Sequence, residues 1–105
     1  MSLKDQFKLL VLGYYGVLYL DEYDLKVYVL KDIENYIRTF IEINPISDFD
    51  YKKEALNYEK EVSKKTKLQD ALIVLNKIKA PMEVVLLVKK HLKEIEDIEK
   101  RERNL

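Results

Sequence analysis

The sequence predicts an all-α fold, an irregular bundle of four to five helices around an apolar N-terminal helix, with a long C-terminal helix. Three observations lead there. Only two glycines and two prolines occur in 105 residues, too few for the tight turns of a many-stranded protein. Apolar residues recur at helical spacing in stretches bounded by Asn44-Pro45 and Ala80-Pro81, where the residue before proline is barred from helix. Leu, Lys, Glu and Ile supply much of the remainder, as in long helices.

The bundle is organised around Phe7 to Leu20, F-K-L-L-V-L-G-Y-Y-G-V-L-Y-L, which carries no charge between Lys8 and Asp21. As a helix, Leu3, Phe7, Leu10, Val11, Tyr14, Val17 and Leu18 form one face, and Leu9, Leu12, Tyr15, Tyr19 and Leu20 make the other faces apolar too, as a centrally placed helix requires. Ser2 with Asp5 three residues later marks its start. The competing reading is α+β, with a β-hairpin over 8–23 turning at Gly-Tyr-Tyr-Gly. Each glycine inside a helix costs about 1 kcal/mol relative to alanine, but a lone two-stranded hairpin is marginal, and the helix is preferred. Gly13 and Gly16, three apart, then form a shallow patch for close packing by another helix.

After the acidic corner Asp21-Glu22-Tyr23-Asp24, Asp24 is expected to cap a second helix with the stripe Val29, Ile33, Tyr36, Ile37, Phe40, Ile41, ending at Asn44-Pro45. A third helix is expected near Asp48, with Ser47 as cap and Ile46 stapling onto Tyr51. Its stripe Tyr51, Ala55, Tyr58, Val62 changes phase to Leu68, Leu72, Leu75, Ile78, which predicts a break within Ser63 to Lys67 with Thr66 and Gln69 as a capping box. Pro81 opens the last helix, expected to run to about Arg103. Its stripe Val84, Val88, His91, Ile95, Ile98 alternates steps of four and three, the spacing of a coiled-coil seam.

Length predicts a single domain over 1–105. With 19 basic and 19 acidic residues the net charge is zero, so no global field attracts nucleic acid or an anionic surface. The absence of cysteine removes disulfides and thiol chemistry and makes a cytoplasmic setting the expectation. The apolar run Leu9 to Leu20 spans about 18 Å as a helix, short of a hydrocarbon core of about 30 Å, and no basic cluster precedes it as a signal peptide would require. Met-Ser-Leu at the start is compatible with a cloning remnant.

The residues that carry chemistry are sparse. His91 is the single histidine and lies on an apolar stripe. Asp21, Glu22 and Asp24 lack the calcium-loop pattern and its glycine. No serine sits beside a base. The sequence therefore predicts no catalytic residue, cofactor site or metal site and a non-enzymatic interaction or assembly protein. Its partner is a second copy or another protein, met through Val84, Val88, His91, Ile95 and Ile98. Two His91 side chains near a twofold axis would then make the dimer loosen toward acid pH. The alternative is a small nucleic-acid-binding regulator or subunit. Over 52–67, six lysines (Lys52, Lys53, Lys60, Lys64, Lys65 and Lys67) face three glutamates, a pattern compatible with phosphate contacts and equally with a solvated helix face.

Overall fold

The computed structural model describes residues 1–104. Five helices follow in order: α1 (Leu3–Leu18), α2 (Tyr23–Ile43), α3 (Tyr51–Glu61), α4 (Lys64–Lys77) and α5 (Met82–Arg103). No strand occurs among the described residues, so the hairpin alternative over 8–23 is replaced by helix. α1 is the centre: it packs against α4, α2 and α3, while α5 packs on α4 and touches α2. The body measures 48 × 29 × 22 Å.

Side-chain caps fix where the helices begin. Ser2 accepts from the Asp5 N–H at 3.1 Å. Glu22, not Asp24, occupies the cap position of α2 and makes no side-chain cap bond, so Asp24 instead sits in the first turn, beside the positive helix end. For α3 the cap is Asp50, accepting from the Lys53 N–H at 3.1 Å, rather than Ser47. The chain reaches that cap through Asp48, whose φ of 55° reverses its direction. The Ile46 N–H donates to the Tyr51 hydroxyl at 3.0 Å. The break before α4 falls at Ser63, one turn before the Thr66 cap expected from sequence. Ser63 Oγ accepts from the Thr66 N–H at 3.2 Å and donates to Thr66 Oγ1 at 3.1 Å, leaving Thr66 inside the helix.

The ends are closed as specifically. Lys26 Nζ donates to the carbonyls of Leu18, at 2.7 Å, and Leu20, answering acceptors that the end of α1 leaves open. α4 ends in a Schellman pattern: the Ala80 N–H donates to the Leu75 carbonyl at 2.9 Å and the Lys79 N–H to that of Asn76 at 3.3 Å. Lys79 holds the left-handed position at φ 54°. Pro81 then takes the cap position of α5 rather than its first turn.

The buried core joins Phe7, Leu10, Val11 and Val17 of α1 to Val29, Ile33 and Phe40 of α2, Leu68, Ala71, Val74 and Leu75 of α4, and Val84, Val88 and Leu92 of α5. α4 lies closest to α1. A Cβ built on Gly13 would meet Val74 Cγ2 at 2.5 Å and the Asp70 carbonyl at 3.2 Å. One on Gly16 would strike the Lys67 carbonyl oxygen and stand 2.9 Å from Ala71 Cβ. The glycines thus serve an intramolecular approach, and both are buried.

Candidate interaction groove

α2 and α3 are each seated on α1 without a packing interface of their own. Between them lies a groove of about 600 Å³ whose floor is the half-buried Tyr14 and Tyr15, with the buried Phe7 and Val11, 2% and 5% exposed, beneath it. Ile37 and Ile41 line the α2 wall, and Tyr51 and Ala55 the α3 wall. Leu18, next along this helical face, is 38% exposed. The α3 wall is anchored by rings: Phe7 meets Tyr51 edge-on at 5.0 Å and Phe49 at 5.6 Å, an arrangement favoured by ring quadrupoles.

The charges around this apolar floor are ordered along it. α2 runs antiparallel to α1, because Lys26 reaches Leu18 while Glu34, further along α2, accepts from the Tyr14 hydroxyl at 2.9 Å. Arg38, one turn beyond Glu34, therefore lies toward Phe7. On α3, Lys52 follows Tyr51 at the Phe7 end, and Glu59 stands near Tyr15 at the other end. The groove is basic at the Phe7 end, through Arg38 and Lys52, and carries Glu34 and Glu59 at the Tyr14–Tyr15 end, where the one nearby cation, the Lys67 ammonium 5.9 Å from the Tyr15 ring, is itself buried.

The tyrosine hydroxyls register this environment. Burial, then the hydrogen bond to Glu34 and its charge, push Tyr14 from 10.0 up to about 12. Tyr15 is raised by burial first, then by the charge of Glu59. Tyr58, on α3, is raised by burial first and then by the charges of Glu54, Asp5 and Glu61. All three hold their protons at neutral pH, so the floor offers hydroxyl donors and aromatic surface rather than phenolate.

The residues singled out in the sequence separate in space. Val84 and Val88, 1% and 0% exposed, are sealed inside the protomer. They are unavailable to a seam between copies; the first half of that stripe covers α4 instead. His91 and Ile95 are half-buried, and Ile98, at 49% exposed, is the one member of the five that stands largely in solvent. The lysine set divides likewise. Lys52, Lys53, Lys60 and Lys64 are exposed, whereas Lys65 pairs with Glu99 at 2.9 Å.

Lys67 is 4% exposed and out of reach of a phosphate backbone. Its ammonium donates to the Glu59 carbonyl and, at 3.3 Å, to the Tyr19 hydroxyl. It also lies 5.2 Å from the Tyr19 ring and 5.9 Å from that of Tyr15, where cation–π attraction adds to the hydrogen bonds. One side chain of α4 thereby closes the end of α3 and holds the end of α1. The sequence carried a signal for this: Lys67 shares a helical face with Ala71, Val74 and Ile78, all turned inward. Among the described residues, no three His, Asp or Glu side chains converge as a metal site, and no helix is long and apolar enough to cross a membrane.

The chain matches no protein-family model, no curated protein and no solved structure, so its own geometry carries the functional assignment.

Proposed function

We propose that the chain is a non-enzymatic helical interaction protein that works by protein–protein contact through the groove between α2 and α3. The observation that carries this is the groove left over the half-buried Tyr14 and Tyr15 of the central helix, walled by two helices that are held apart. Ile37 and Ile41 together with the Tyr14 and Tyr15 rings give the apolar anchoring surface, while Glu34, Arg38 and Lys52 form a charged rim. That is the arrangement by which a groove receives the apolar stripe of a helix. A reading through the α5 seam is weaker, since half of that seam is core.

The test places a photo-cross-linking amino acid at Ala55, on the groove wall, and at Lys90, on the exposed side of α5, in the producing cell. The adduct formed from Ala55 is identified and rebuilt from purified components. The expected result is an adduct from Ala55 and not from Lys90, with binding of the purified partner abolished by Ala55→Glu. Equal adducts from both positions, or binding that survives Ala55→Glu, would refute the proposal. A second copy of the chain counts as a partner on the same terms.

A further inference from the structure

α3 is the one helix with no fully buried residue, and its outward flank has an order of its own. Lys52, Leu56 and Glu59 follow at steps of four and three, which brings all three to one side of a helix. Lys52 lines the groove, Glu59 stands near Tyr15, and Leu56 between them is 53% exposed. α3 therefore presents a cation, an exposed leucine and an anion in the order in which the groove itself runs from basic to acidic.

A surface of that kind is complementary to a copy of itself turned end for end. Reverse a second α3 and lay it along the groove beside the first. Its Lys52 then comes to Glu34 and Glu59, its Glu59 comes to Arg38 and Lys52, and the two Leu56 side chains meet at the centre over the apolar floor. A parallel copy would oppose lysine to lysine and glutamate to glutamate.

We infer that the occupant of the groove is a second copy of this chain, which lays its own α3 antiparallel to the first about a twofold axis at Leu56. The inference rests on the groove being a contact surface and goes beyond it in naming what fills it and in which direction. Each subunit both offers α3 and receives the partner's, so the association closes at two copies.

Sedimentation velocity over a concentration series reaching the high micromolar range tests it. The wild-type chain is expected to pass from monomer to dimer, and Leu56→Glu, at an exposed position, to remain monomeric with an unchanged helical spectrum. Lys52→Glu and Glu59→Lys should each weaken self-association roughly tenfold, because each turns two symmetry-related attractions into repulsions. An equimolar mixture of those two variants should associate more tightly than either variant alone, since the glutamate at 52 of one then faces the lysine at 59 of the other, while Glu34 and Arg38 keep it below the wild type.

The mixture decides the matter even if Leu56→Glu fails to fold. A wild-type chain that stays monomeric throughout overturns the inference, and so does a dimer indifferent to Leu56→Glu and to the mixed charge swap. An adduct from Ala55 to a different protein, with a monomeric chain, overturns the second copy while leaving the groove as a binding surface.

Discussion

Adding one methyl group at Gly16 tests how α1 and α4 meet. By helix propensity alone, Gly16→Ala gains about 1 kcal/mol, since alanine loses less backbone freedom than glycine in a helix interior. Against this stands the neighbour: the new Cβ runs into the Lys67 carbonyl oxygen and lies 2.9 Å from Ala71 Cβ. A backbone carbonyl in α4 has no rotamer by which to withdraw, so relief requires the two helices to separate. Overpacking of this kind costs about 1–3 kcal/mol, and α4 carries Leu68, Ala71, Val74 and Leu75 in the core that such a shift would loosen. A backbone obstacle puts the contact in the upper part of that range, about 2–3 kcal/mol, so after the propensity gain the net expectation is a loss of about 1–2 kcal/mol, read as a fall of about 4–15 °C in Tm. Urea unfolding followed by circular dichroism at several temperatures measures it. Gly13→Ala should cost less, because its nearest obstacle is the Val74 side chain, Cγ2 at 2.5 Å, rather than backbone. A Gly16→Ala protein as stable as the wild type, or more so, would show that propensity outweighs packing and that α4 does not depend on the glycine.

Three further outcomes follow from the same contacts. Lys67→Ala is expected to cost about 2–4 kcal/mol in urea unfolding, from lost stem packing and an unanswered Glu59 carbonyl. Lys67→Met should recover about half by keeping the stem, whereas equal losses would mean that packing is irrelevant there. Val88→Ala should destabilise by about 2 kcal/mol as a cavity in the core, and Ile98→Ala by less than about 0.5 kcal/mol; the reverse order would return the α5 seam to the surface. Tyr14 titrates at about 12 when folded against 10.0 when free, so between those values the folded chain holds a proton that the unfolded chain has released. Stability from this group is therefore intact below pH 10 and lost as pH rises toward 12. Glu34→Gln should shrink that loss by removing the carboxylate's charge, and an unfolding profile identical in the variant from pH 9 to 12 would contradict it.

What was legible in the sequence was the pattern that burial imposes. The apolar Phe7 to Leu20 run, the stripes on either side of Asn44-Pro45 and the stop at Ala80-Pro81 set the order of the helices and limited their number to four or five, because a helix that buries one face must repeat at its own period. The caps were less legible. Ser63 and Thr66 both satisfy the cap preference, as do Ser47 and Asp50, and only the hydrogen bonds select Ser63 and Asp50. The α5 stripe was misread for a different reason. Coiled-coil spacing and the spacing of a helix packed on its own bundle coincide over three heptads, so the covering of Val84 and Val88 by α4 leaves no trace in the local sequence. In the sequence Lys67 groups with the lysines compatible with phosphate contacts although it shares a helical face with Ala71 and Val74, and its partners Tyr19 and Glu59 lie 48 and 8 residues away, a proximity that belongs to the fold.

The groove follows from an asymmetry in α1. On one side it presents Gly13 and Gly16, and α4 comes in to backbone distance; on the other it presents Tyr14 and Tyr15, whose rings stand edge-on at 5.8 Å. Large rings at adjacent positions hold any covering helix further from the axis, and their hydroxyls require polar partners once water is excluded. Tyr14 has Glu34. A helix from within the chain closing over Tyr15 would have to bring it an acceptor, and Glu59 of α3 acts on it through charge. The small side of α1 is therefore closed within the protomer, and the aromatic side is left as the floor of the groove between α2 and α3.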